Sequence, residues 1–186
     1  MTYRLPLAAF AMLLCAACSS AATGPPAPGP TAPQLPPRPR ELRINGWDPC
    51  ATLTTGQVQS LGVRFYSADP PSGSLGPSCD WNHSPAEPVE SYTVDVNTHG
   101  GVELAFGQPE LDVITVAGFG AVTTPGRYSS GDRECIVNID VAPGQALQVG
   151  YFYNGSTVPM THEIACQKAR NAAELAMQTI QSKIGG

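Results

Sequence analysis

Six cysteines and three histidines hold most of this chain's capacity for chemistry. A metal site would need clustered ligands, and the four cysteines after the leader, Cys50, Cys79, Cys135 and Cys166, include no C-x-x-C pair and no cysteine and histidine cluster at ligand spacing, so no metal is expected. The leader described below implies export, and an even set of cysteines in an exported chain defaults to disulfides. Cys50, Cys79, Cys135 and Cys166 form that set. Three pairings are open to four cysteines, and sequence alone does not choose among them. Cys50 with Cys79 and Cys135 with Cys166 is favoured, because each bridge would staple one helix to a sheet across a short loop.

The histidines are His83, His99 and His162, with Asp80, Asp95 and Glu163 among the neighbouring acids. Nothing in their spacing assembles a nucleophile, a base and an orienting acid. Ser129-Ser130-Gly131-Asp132 lacks the nucleophile-elbow pattern and reads as a polar turn before Cys135. Gly118-Phe119-Gly120 is not followed by a helix with a phosphate-loop lysine, and reads as a turn between strands. No catalytic residue and no cofactor site are expected.

The remaining reactive position is Cys18. An apolar run, Leu5 to Leu14, follows Arg4, and small residues Ala16 and Ala17 stand directly before Cys18. This is the shape of a secretory signal, and the run is too short to span a bilayer, which takes roughly 20 apolar residues. Small residues before a cysteine resemble the bacterial lipobox, in which the cysteine thiol receives a diacylglycerol and becomes the mature N-terminus. Cys15 stands where a lipobox usually carries leucine, and would leave with the signal. The expected layout is a signal over residues 1–17, a lipid-anchored proline-rich linker over 18–46, and one domain over 47–186. The linker is expected to be extended, with a reach on the order of 80 Å.

Composition narrows the functions. The net charge of −5 argues against nucleic acid and against electrostatic binding to anionic lipid. No later segment is apolar enough to cross a membrane, so the N-terminal lipid would be the membrane attachment.

The elements that must position these residues are legible from pattern. Thr54 three residues before Gln57 marks a capping box for a short helix from about Thr55 to Leu61, ended by Gly62. Tyr92 to Asn97 alternates as a half-buried strand, and strand signals recur at Leu111 to Val116, Ala121 to Thr124, Ile136 to Val141 and Leu147 to Tyr153. The last two, separated by Ala142 to Ala146, read as a hairpin. Thr161 to Ile184 is alanine-rich, proline-free and apolar at helical spacing. The predicted fold is α+β: an antiparallel sheet with a short N-terminal helix and a long C-terminal helix packed on it, stapled by disulfides. Tyr151 and Tyr153 share a strand face and lie either under the last helix or on an exposed ligand-binding face.

Asp48-Pro49-Cys50, Leu53-Thr54 before a helix ending at Leu61-Gly62, Cys79-Asp80-Trp81, Cys135-Ile136-Val137 and Cys166 in the last helix together resemble the actinobacterial lipoproteins of domain of unknown function 3558. The resemblance implies a lipid-anchored envelope protein with no established activity to carry over. The expected function is thus non-enzymatic: a binding or scaffolding module on the outer face of the plasma membrane, contacting an envelope protein or a small-molecule ligand. The alternatives are a small-ligand or lipid carrier, or an envelope hydrolase with a non-standard site built on His83 or His162.

Overall fold

The computed structural model describes residues 32–69, 76–83, 90–126, 133–155 and 159–184. Cys18, the leader and the first half of the expected linker lie outside the described residues, as does the turn at 129–132. Seven strands form one sheet in the order β1-β2-β3-β7-β6-β5-β4. They are β1 (Phe65–Asp69), β2 (Ser78–Asn82), β3 (Glu90–Asn97), β4 (Asp112–Val116), β5 (Phe119–Pro125), β6 (Glu134–Ala142) and β7 (Gln145–Tyr153). All six neighbouring pairs are antiparallel. Strand β1 carries no alternation strong enough to mark it in sequence; pairing with β2 defines it.

Helix α1 (Thr55–Ser60) forms where the capping box stands, with the Thr54 hydroxyl accepting from Gln57 N–H and the Gln57 side chain accepting from Thr54 N–H. Gln57 then reaches further. Its Nε2 donates to Leu175 O at 2.9 Å, and its Oε1 accepts from the Thr179 hydroxyl at 2.9 Å. One side chain therefore caps α1 and fastens it to α2 (His162–Ile184).

Helix α2 meets the sheet through small residues. Ala165, Ala169, Ala172, Ala173 and Ala176 are buried along one stripe, joined by Met177 and Ile180 toward the C-terminus. Small side chains let the helix lie close over the tall layer beneath, where Tyr151 and Tyr153 are buried. The tyrosine pair is thus roofed by the helix, and its packing makes Tyr151 and Tyr92 rings near neighbours at 5.2 Å between centroids.

Two turns show how closely backbone and side chains agree. Pro143-Gly144 closes the β6–β7 hairpin, with Gly144 at φ +68°. Between β4 and β5 both central residues, Ala117 and Gly118, have positive φ, as a tight hairpin of the right twist demands. Alanine is strained there, at φ +49°. Helix α2 holds it: Ala117 N–H donates to Glu174 Oε1 at 2.9 Å and Ala117 O accepts from Gln181 Nε2 at 3.1 Å.

The disulfides are Cys50–Cys79 and Cys135–Cys166. The first ties the short 3₁₀ turn Pro49–Ala51 to β2, and the second ties β6 to the first turns of α2. Loops of 29 and 31 residues correspond to roughly 3–4 kcal/mol each in the chain-entropy model.

The structure corrects the expected linker over 18–46. From Ala32 the chain belongs to the same compact unit as the domain. Leu42 and Ile44 are 1 % and 0 % exposed and sit in the main core, while Glu41, Arg43 and Asn45 face outward. Leu42 N–H donates to Val141 O, and Ile44 N–H to Gln145 Oε1, both at 2.8 Å. Further upstream Leu35 and Pro36 lie on Gly120, where any Cβ would meet them at 3.0–3.1 Å, and Arg38 Nε stands 2.8 Å from Asp140 Oδ2. The prolines conceal a period-two pattern, Glu41-Leu42-Arg43-Ile44-Asn45, whose two apolar members enter the core. Ile44→Ala is expected to cost about 2–4 kcal/mol in chemical denaturation. An unchanged midpoint would mean that the segment is a spacer after all.

Candidate functional site

Because α2 covers one face of the sheet, every second residue of the central strands points to the other face. Register aligns these residues into a ladder. Ser78 on β2 is opposite Asp95 on β3, Asp95 opposite Gln148 on β7, and Gln148 opposite Asn138 on β6. The next rung pairs Asp80 with Thr93, then Gly150 with Ile136 and Thr124. Antiparallel sheets commonly leave one face wet, so polarity alone proves nothing. Here, however, the face is walled. The segment following β3, with its 3₁₀ turn Val102–Ala105, folds over it, packing Val102 and Ala105 against Val122.

Between that wall and the sheet lies a groove of about 220 Å³. Its sides carry the amides of Asn97, Gln108, Asn138 and Gln148 and the Thr124 hydroxyl, and Leu104, 59 % exposed, forms an apolar lip. Amides and hydroxyls both donate and accept, so the groove suits an uncharged partner with its own hydroxyls or amides.

Asp95, the cross-strand neighbour of the groove residue Gln148, behaves unlike a surface acid. Burial, and secondarily the charge of Asp80, pushes its carboxyl up from 3.8 to about 7. Asp80 is engaged by the Thr93 hydroxyl, which donates to its Oδ1. Near neutrality Asp95 is divided between neutral and charged forms, and so presents both a donor and an acceptor.

The three histidines are not brought together. His83 Nδ1–H donates to Gly62 O at 3.1 Å just beyond β2, whereas His99 lies past the far end of β3, exposed, with its backbone N–H donating to Asn97 Oδ1. His162 has a neighbour of its own: its Nε2 is 3.4 Å from Cys166 Sγ. The signal was the i, i+4 spacing of His162 and Cys166 on a helix, which places both on one face. Around the buried tyrosines, Tyr151 O–H donates to Glu90 Oε1 at 3.2 Å and Lys168 Nζ lies 3.1 Å from the same oxygen. Burial first, and then the Glu90 charge, raises both Tyr92 and Tyr151 above the ordinary phenol value, so neither is poised as an acid or base.

The model of a family described as a protein of unknown function, DUF3558, matches residues 13–179. The chain is a member of the DUF3558 family. No curated protein matches it. The DUF3558 description carries no activity, so the functional reading of this DUF3558 chain rests on its own geometry. The four bridged cysteines, Trp81 and the Thr54–Gln57 box serve the fold, whereas the ladder from Asp95 to Asn138 presents polar side chains on the face away from α2.

Asp95 also sets a pH dependence. The folded chain holds this proton up to about pH 7, while the unfolded chain releases it near 3.8. The folded state therefore binds more protons across that interval, and the stability Asp95 contributes is complete below 3.8 and lost as pH rises through about 7. Asp95→Asn is expected to gain up to about 4 kcal/mol on wild type at pH 8 and little at pH 4, read from denaturant unfolding. Parallel pH profiles for the two proteins would refute the assignment.

Proposed function

We propose that this DUF3558 protein is a lipid-anchored, extracytoplasmic binding module whose walled sheet face recognises an uncharged, hydroxyl- or amide-rich part of an envelope molecule. The groove between the Val102–Ala105 turn and the β3–β7–β6 ladder carries this reading. Its volume of about 220 Å³ lies below the roughly 300–1,000 Å³ of sites that enclose a whole small molecule. A groove that size accommodates one ring or side chain of a larger partner, which favours a binding module over a carrier. The space under α2 is filled by Met177, Ile180 and the tyrosines, which likewise gives a lipid carrier no support. The hydrolase alternative rests on His83 or His162; the first engages Gly62 O and the second faces a disulfide sulfur, so neither has a nucleophile to activate.

Anchoring follows from the leader. The family match begins at residue 13, ahead of Cys18, which supports treating that cysteine as part of the family pattern rather than an accident of this sequence. A thiol-linked diacylglycerol at Cys18 would hold the domain at the outer face of the plasma membrane, on a tether that is shorter than composition suggests because residues 32–46 are packed.

Two measurements check the two halves separately. Labelled fatty acid should be incorporated by wild type and by Cys15→Ala but not by Cys18→Ala; label retained in Cys18→Ala would remove the anchor. Asn138→Ala combined with Gln148→Ala should leave the unfolding midpoint near wild type and abolish co-purification of envelope material. Unchanged co-purification would move the binding face elsewhere.

A further inference from the structure

The Cys135–Cys166 bridge differs from its counterpart in its surroundings. Cys166 forms part of a cleft of about 380 Å³ at the start of α2, walled also by Asp112, His162, Glu163, Gln167 and Arg170. Cys135 is fully buried behind it, and Cys166 is 6 % exposed, so the cleft reaches the bridge from the Cys166 side. One ligand atom each from Cys135, His162 and Cys166 lie within 4.8 Å of one another, the group of this kind found among the described residues.

The two sulfurs are bonded to each other, so the edge from His162 to Cys166 is the one that can be compared with a coordination geometry. Tetrahedral zinc with bonds of about 2.3 Å to sulfur and about 2.0–2.1 Å to nitrogen places its ligand atoms about 3.5–3.8 Å apart. His162 Nε2 already stands 3.4 Å from Cys166 Sγ, along one edge of such a tetrahedron. Cys135 lies on β6 and the other two on the first turns of α2, so the ligand set is held on a strand and a helix rather than on loops. While the disulfide is intact the sulfurs are not thiolates and cannot bind a cation in this way.

We infer that this bridge is a redox-gated metal site: once reduced, Cys135, Cys166 and His162 hold a soft divalent cation of the zinc class, with the fourth position open to the cleft. The reductant is a dithiol of the kind small redox proteins carry. Two successive exchanges break the Cys135–Cys166 bond and convert the reductant's two thiols to one disulfide, passing two electrons and two protons to Cys135 and Cys166. Cation binding then displaces both thiol protons to solvent, while His162 binds neutral, through the Nε2 lone pair. Glu163 and Asp112 at the cleft offset the positive charge that Arg170 brings to the same opening.

Cobalt(II) alone is a suitable probe, because thiolate coordination gives it a near-ultraviolet charge-transfer band and tetrahedral geometry gives it visible d–d bands. The full chain, reduced without oxygen, should take up one cobalt with both signatures, whereas the oxidised chain should show neither. Alkylation mapped by mass spectrometry should find Cys135 and Cys166 protected by the metal, with Cys50 and Cys79 labelled. His162→Ala should weaken binding at least about tenfold, the scale on which disturbed coordination acts, with oxidised-state unfolding unchanged; His162→Cys should restore it. Absence of the thiolate band, protection at Cys50 and Cys79 instead, equal affinity in His162→Ala, or loss of the folded circular dichroism on reduction that metal does not restore would each overturn the proposal.

Discussion

The close approach of α2 to the sheet is the constraint on which the rest of the structure depends. Alanines along one stripe let the helix sit low over Tyr151 and Tyr153, and nearly every other element is then fastened to it. Helix α1 is tied through Gln57 to Leu175 and Thr179, and the β4–β5 turn through Glu174 and Gln181. Strand β6 is tied through Cys166, and the upstream segment through Arg40, whose guanidinium donates to Gln181 O. Enlarging any alanine of the stripe would lift the helix and loosen all of these attachments together, so the seam acts as one cooperative unit.

That arrangement divides the sheet into unequal faces. Apolar and aromatic residues of β2, β3, β5, β6 and β7 are spent on the helix side. The opposite side carries Asp, Asn, Gln and Thr in register beside Val122 and Ile136, and it is covered by two segments that hold no regular strand, the stretch around Leu35 to Arg38 and the Val102–Ala105 turn, with Leu35 packed against the same cluster as Val102 and Ala105. A groove with fixed polar walls is the product. Its rigidity comes from the helix side, which is why a binding role proposed for one face and a structural role for the other are compatible in so short a chain. Raising the Asp95 carboxyl toward neutrality is a cost of that enclosure, accepted where an exposed acid would have been free.

Local signals made much of the fold legible in sequence. The capping box at Thr54 and Gln57, the alanine spacing of α2 and the short loop at Pro143-Gly144 each act over a few residues, and each appears where its chemistry requires. What escaped depends on neighbours. Strand β1 is an edge strand defined by β2, and Leu42 with Ile44 looked like part of a proline tract because prolines at 36, 37 and 39 dominate the composition. The groove was invisible for a deeper reason: Asp95, Gln148 and Asn138 lie far apart in the chain and become a ladder only through register. His162 and Cys166 were readable as an i, i+4 pair, but Cys135 joins them only through the bridge.

The central claim is that the walled sheet face, not the outer surface of α2, meets the partner. Site-specific photo-crosslinking in intact cells of the natural host tests it most directly, with the reactive residue placed at Gln108 on the groove wall or at Gln178 on the exposed side of α2. The account predicts a discrete adduct from position 108 and none from 178; an adduct from 178 with none from 108 would contradict it.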